Sequence, residues 1–387
     1  MALSIQFDMK TRRGSVSDQS TKDVLIGGSF GTKEDGKLIL TPEETLYLID
    51  VRHAGCASPE GRRLAFNDVA VEFSGRKKFM ARYFTYKDWR DRGLIAKEPA
   101  ERRSDGAKTQ AKRYPTSQFR LKTRAIHGVF FPDDLTSVID DEEEGKDLYN
   151  NYWIGQYGTY KVNGHGTLNK LDIYETLFLV DRNVLEVSNY TRKQIMDLAA
   201  KRRQDFEKLY DVYSDWRGKG YVIKTGFKFG THFRLYFPGA QPIKRDETWI
   251  HSKHVIHVFP RDAKLLISEW ARVIRVAHSV RKTFILAIPG KVRKKSIGID
   301  FLLYHRKGGD IETPTTDKPR YGMLSLSEEE CIGGSELSAI INEAQAHRLD
   351  LIIAIADRET AVTYYKVRKI NLQGSEYEYY EIDWMQP

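Results

Sequence analysis

ISEWARVIRVAHSVRKTFILAI, residues 267–288, decides the architecture, because GSELSAIINEAQAHRLDLIIAI, residues 334–355, repeats it without a gap. Each stretch reads as an amphipathic helix feeding a short apolar strand. In the first, Leu266, Trp270, Val273 and Ala277 recur at helical spacing over 263–281, and FILAI (284–288) has the length of a buried strand. Self-similarity of this kind marks a duplicated supersecondary unit.

Two more matches lie upstream. ETLYLID (44–50) recurs as ETLFLVD (175–181), and YFTYKDWRDRG (83–93) as YDVYSDWRGKG (210–220). The copies are unequal. The middle one, 118–304, carries both halves: an N-terminal lobe of about 118–200 and a second lobe of about 203–304. The first, 1–97, has only the front half, and the last, 321–387, only the back half. The polar, charged stretches 98–117 and 305–320 have the Gly, Pro and charge content of linkers. A helix capped by Thr191 across 191–217, a hairpin over 220–237 and a strand at 254–259 complete a mixed α+β expectation. The acidic run DDEEEGKD (140–147) reads as a solvated loop.

A chain of 387 residues has room for two or three cores. No apolar run approaches the ~18 residues that span a bilayer, and MALSIQFDMKTRRGS lacks the layout of a secretory signal. Two cysteines, Cys56 and Cys331, make no disulfide framework. A cytoplasmic protein without membrane contact is expected. A net charge of +9 beside 21 Tyr, 18 Phe and 6 Trp suits a polyanion with unpaired bases.

The glycine-rich stretches GGSFG (27–31) and GQYGTYKVNGHG (155–166) lack the closing GK[ST] of a phosphate loop. His251, His254 and His257 alternate faces on a strand, with no suitably spaced carboxylate or cysteine, so no metal or other cofactor is expected. Phosphodiester cleavage without a metal needs a base for the 2′-hydroxyl, an acid for the leaving 5′-oxygen and a cation for the phosphorus oxygens. Tyr, His and Lys fill those roles, and the middle copy offers all three.

The three segments GYVIKTGFKFGTHFRLY (220–236), HSKHVIHVF (251–259) and RVAHSVRKTFILAI (275–288) together resemble the catalytic half of the archaeal tRNA-intron endonucleases. The resemblance covers the whole middle copy and parts of the outer two. It implies Tyr236 as general base, His251 as general acid and Lys282 as stabiliser of the phosphorane. Taken singly, each has an ordinary alternative: a half-buried strand tyrosine, a solvated histidine, a charge at a helix end. Phenol is a poor base at neutral pH, so cations such as Lys282 and Arg275 are expected to lower its pKa. The insertion PGAQPIKRDETWI (238–250) is longer than the pattern suggests. The repeat supplies a control, because Lys318 and Leu349 stand where the middle copy has His251 and Lys282.

The resemblance further implies that two cationic side chains clamp an extruded base. Arg275 matches one, and if α-helix continued from Arg275 to Lys282 both would face one groove. Arg306 is the choice for the other. An acidic loop of a non-catalytic unit docks into a basic cleft in that family. Here Asp357 and Glu359 of ADRETA contrast with the basic loop PGKVRKK (289–295). Lys161, in the glycine-rich loop with Tyr157 and Tyr160, is expected on an RNA phosphate. With one active unit per chain, the implied assembly is a homodimer acting on precursor tRNA with a bulge–helix–bulge, leaving a 2′,3′-cyclic phosphate and a 5′-hydroxyl. The alternative is a non-catalytic RNA-binding or structural subunit on the same repeats, which explains charge and aromatics but not the joint presence of Tyr, His and Lys in one copy.

Overall fold

The computed structural model describes residues 3–99, 111–122, 124–160, 162, 165–242, 250–290 and 298–387. Helix α1 (Phe79–Asp91) leads into strand β1 (Ile95–Lys97), and helix α2 (Phe206–Gly218) into β2 (Val222–Thr225) and β3 (Phe233–Tyr236). Next come β4 (His254–Val258), α3 (Ile267–Ser279), β5 (Thr283–Ile288) and β6 (Phe301–Tyr304). The chain ends with β7 (Tyr321–Ser327), α4 (Gly334–Ala346), β8 (Asp350–Ala356), β9 (Val362–Leu372) and β10 (Glu378–Met385). These strands form one mixed sheet in the order β2–β3–β4–β5–β10–β9–β8–β7–β6–β1, so the α+β class holds. Among the described residues no helix is long and apolar enough to cross a membrane.

The pairings read alike from both ends of this sheet. β4 runs parallel to β5 and β7 parallel to β8, and each helix between them, α3 or α4, packs on the sheet through its apolar stripe. Trp270, Ile274 and Ala277 of α3 share one core with Leu337, Ile340 and Ala344 of α4. Strand β5 is buried along Phe284–Ile288 and so needs a partner on each edge. β10 supplies one, with Leu286 opposite Tyr380.

β6 falls on the other side from the one the repeat predicts. Phe301–Tyr304 was expected with the middle copy but pairs with β7 and β1, placing Phe301 opposite Met323 and Leu303 opposite Ala96. Asp300 fixes that position, accepting from Lys78 Nζ at 2.7 Å, Arg82 Nη1 at 2.6 Å and the Ser325 amide at 2.8 Å. GIDFLLY (298–304) therefore stands beside β1 as GTHFRLY (230–236) stands beside β2.

The two front lobes share a buried device. Thr41 and Asp172 each open a helix, Pro42–Asp50 and Ile173–Val180, with Glu44 and Glu175 closing the capping boxes. Each glutamate also takes a lysine from the large sheet, Lys97 of β1 at 2.9 Å and Lys224 of β2 at 2.6 Å. Each accepts a glycine amide too, Gly31 at 3.0 Å and Gly155 at 2.9 Å.

Local expectations fail in three places. The helix expected over 191–217 is two, Arg192–Arg202 and α2, because Arg203 turns extended (φ −146) and binds Asp205 and, at 2.7 Å, His232. α3 starts at Ile267 and not at 263, because Lys264–Leu266 pairs with Cys331–Gly333. The acidic run forms the start of helix Glu142–Tyr152, with Asp141 as N-cap; three glutamates in the first turn complement the helix dipole.

Candidate active site

The β2–β3 hairpin carries Tyr236 to the edge of a cleft of about 1030 Å³, with Val222 opposite it in register. Its ring packs on Trp153 of the front lobe at 4.6 Å between centroids, and the residue is buried. Burial pushes the phenol above its ordinary value, while the charge of Arg234 and the Ser252 hydroxyl pull it down. The cations expected to tune it were Lys282 and Arg275; Arg234 and Ser252 are the groups that do so.

His251 is exposed at the mouth of the same cleft. The insertion does not carry it away, because the Ile250 amide donates to Pro242 O at 3.2 Å and ties the ends of the segment together. Residues 243–249 lie outside the described residues. The other two histidines of HSKHVIH are different in kind. Burial pushes His254 and His257 each down to about 4, so neither carries a proton to give at neutral pH. His254 packs on Tyr114 and Phe237, His257 on His232.

Lys282 sits just past α3, where Arg281 takes a left-handed turn (φ 55) and the Lys282 amide donates to Ala277 O at 3.0 Å. Its ammonium donates to Ser252 through both the carbonyl and, at 3.1 Å, the hydroxyl, and lies 4.5 Å from the centroid of the Phe229 ring. Burial, then the charge of Arg234, holds it below the usual lysine value. Tyr236, His251 and Lys282 thus line one cleft, with Lys253 and Arg281 and no carboxylate among its described lining residues. A buried phenol, an accessible imidazole and an ammonium around a basic cleft can move protons at, and hold charge on, a bound phosphodiester.

The corresponding place in the outer half has Tyr304 but Lys318 and Leu349 for the other two. The Leu349 amide donates to Ala344 O at 2.8 Å, as Lys282 does to Ala277, so the backbone is kept and the charge lost. Pro319 stands where Ser252 stands. Lys318, Pro319 and Leu349 follow from the gapless repeat, whereas Tyr304 is aligned only by the strand pairing.

Other expected residues lie elsewhere. α3 ends at Ser279, so helical spacing does not join Arg275 to Lys282; Arg275 is exposed, and its charge acts on Tyr365 of β9. Arg281 lines the cleft instead. Arg306 donates to Arg92 O at 3.1 Å beside β1, at the opposite end of the sheet from Tyr236. Asp357 and Glu359 form the turn between β8 and β9, where Asp357 Oδ1 accepts the amides of Glu359 and Ala361 at 2.9 Å and Glu359 is exposed. Lys161, and the basic loop from residue 291 on, lie outside the described residues.

Residues 206–294 match the family described as tRNA intron endonuclease, catalytic C-terminal domain. The tRNA-splicing endonuclease of Methanococcoides burtonii is 28% identical over 342 residues, covering 70% of this chain and 92% of the relative. That of Thermococcus kodakarensis is 34% identical over 152 residues, 38% of this chain and 82% of the relative. That of Methanosarcina acetivorans is 24% identical over 339 residues, 73% of this chain and 94% of the relative. With the site assembled inside the matched segment and the Thermococcus kodakarensis relative 34% identical over 82% of its length, the chain belongs to the tRNA-splicing endonuclease family.

Proposed function

We propose that this chain is a tRNA-splicing endonuclease that cuts precursor tRNA at the intron borders, acting in the cytoplasm on a bulge–helix–bulge. Tyr236 takes the proton of the 2′-hydroxyl, whose oxygen bonds to phosphorus as the bond from phosphorus to the 5′-oxygen breaks. His251 gives that oxygen a proton, and Lys282 holds the charge on the phosphorane. The products are a 2′,3′-cyclic phosphate and a 5′-hydroxyl, and the acid, base and cation needed are all side chains of the protein. The observation that carries this reading is the convergence of Tyr236, His251 and Lys282 on one cleft with no acidic lining residue among those described. A bulge suits such a cleft, since it presents unstacked nucleotides that a continuous A-form duplex hides.

The strand pairing supports a two-unit division of the chain. The active unit is the middle segment from 111 to 288 closed by β10; the inactive one joins the front lobe and β1 to β6–β9. Two chains would then form a homodimer of four units with two active sites. The exposed acid Glu359 and the rigid turn that Asp357 braces support docking of this turn on a basic cleft of the partner. Incubation with an intron-containing precursor should release the intron and two half molecules. Tight binding with no scission would leave the chain an RNA-binding subunit only.

A further inference from the structure

Beside the cleft, on the far side of Tyr236 and His251 from Lys282, a second cavity of about 320 Å³ opens between the front lobe and β3. It is at the small end of ligand pockets, which run from ~300 to 1,000 Å³, a size for one nucleobase and not for a helix. Trp153, Tyr149 and Tyr160 give it aromatic walls, and Gln156, Arg234, Lys170, Lys224 and the carboxylates Asp172 and Glu175 give it polar ones. Trp153 and Tyr149 are buried, whereas Tyr160 is 51% exposed, with Lys228 Nζ 5.5 Å from its ring centroid.

Comparison of the two halves isolates these side chains. Trp153 takes a left-handed conformation (φ 48) two residues before Gly155, and Ser29 takes the same conformation (φ 58) two residues before Gly31. An aromatic side chain in that conformation is disfavoured, so the scaffold tolerates strain there that a serine or glycine would lessen. One helical turn earlier the active half has Tyr149 where the outer half has Leu25. On the third strand of comparison it has Arg234 where the outer half has Leu302. The glycine, glutamate and lysine beneath are shared, and the aromatic walls and Arg234 are what the active half adds.

We infer that this cavity binds a nucleobase, that of the nucleotide carrying the attacking 2′-hydroxyl. Tyr236 is the common wall of cleft and cavity, so the ribose whose hydroxyl meets its phenol directs its base past Trp153 and against Tyr160. Aromatic faces accept any base, and the pocket holds the nucleotide extruded whatever its identity. The base then fixes its ribose relative to the phenol. This inference rests on the endonuclease reading.

The test puts 2-aminopurine at the nucleotide 5′ of the scissile phosphate and binds the RNA to the His251→Ala protein. Its fluorescence is expected to fall on binding and to recover in His251→Ala/Tyr160→Ala, while 2-aminopurine 3′ of the scissile phosphate responds little. In the parent, an abasic 5′ nucleotide is expected to lower kcat/KM about ten-fold or more, the scale of losing one stacked base. Tyr160→Ala should reduce cleavage of the intact substrate but add little on the abasic one. Normal cleavage of the abasic substrate, or a signal confined to the 3′ position, overturns the pocket and leaves the endonuclease reading standing. An intact precursor that is bound but never cut overturns the endonuclease reading, and the pocket as a catalytic subsite with it.

Discussion

Lys282 Nζ donates to Ser252 Oγ at 3.1 Å, and the same hydroxyl lies beside the phenol of Tyr236. Ser252 is buried, so its hydroxyl has these two groups for company in place of water. It can position the ammonium and favour the phenolate together. In the outer half the lysine is Leu349 and the serine Pro319, so both ends of the contact are lost. Ser252→Ala is expected to lower the single-turnover cleavage rate about ten-fold, the worth of one hydrogen bond to a charged group, with thermal stability nearly unchanged. An unchanged rate would remove Ser252 from the mechanism.

Tyr236 and Tyr304 occupy matching strand ends but only the first has His251 and Lys282 for neighbours. Tyr236→Phe should slow cleavage at least about a hundred-fold, the usual scale of general base catalysis, whereas Tyr304→Phe should leave it as it was. Equal effects of the two changes would contradict the assignment of one active half.

The pH dependence follows from the two shifts. The Tyr236 phenol is held above 10.0, so the base form is scarce at neutral pH. Lys282 is held below 10.5 and acts in its charged form, so the rate should fall on the alkaline side as that proton is lost. Lys282→Arg keeps a cation whose charge does not titrate there. Its profile should lose the alkaline fall, and a profile that keeps it would assign that limb to another group.

Asp300 anchors β6 through Lys78, Arg82 and the Ser325 amide, all of them in the outer half. Asp300→Ala leaves buried cations short of a partner and should cost about 3–5 kcal/mol, read as a loss of chemical-denaturation stability. A loss within experimental error would mean that β6 does not depend on this network.

Glu359 is exposed at the tip of the β8–β9 turn, and its side chain is not the one that braces that turn. Glu359→Lys should weaken self-association about ten-fold or more by sedimentation velocity, because it sets like charges against a basic cleft. An unchanged dimer would place the subunit contact elsewhere.

Much of this candidate site was legible because the three segments that carry the family resemblance are each continuous in sequence. FRLY ends a strand, HS opens the next, and RK follows the helix, so the resemblance put Tyr236, His251 and Lys282 forward before their convergence was seen. The α+β class was legible because helical and strand periodicity are local. What escaped depends on distant pairing. Nothing in GIDFLLY announces that β6 joins β1, or that β10 closes the edge of β5, since an apolar strand accepts many neighbours until the whole sheet is formed. Helical spacing does not link Arg275 to Lys282 for a local reason: α3 ends at Ser279, so a two-turn spacing no longer sets direction. Ser252 and Arg234 were passed over because a serine and an arginine carry no signal until a lysine and a phenol come within reach.

The most direct measurement is single-turnover cleavage of an intron-containing precursor tRNA in excess EDTA, with both new ends identified chemically. Cuts at the intron borders leaving a 2′,3′-cyclic phosphate and a 5′-hydroxyl are expected, with the His251→Ala protein slowed by about a hundred-fold or more while still binding the RNA. Cleavage that stops in EDTA, ends bearing a 3′-hydroxyl, or a His251→Ala protein as fast as the parent would contradict the proposed mechanism.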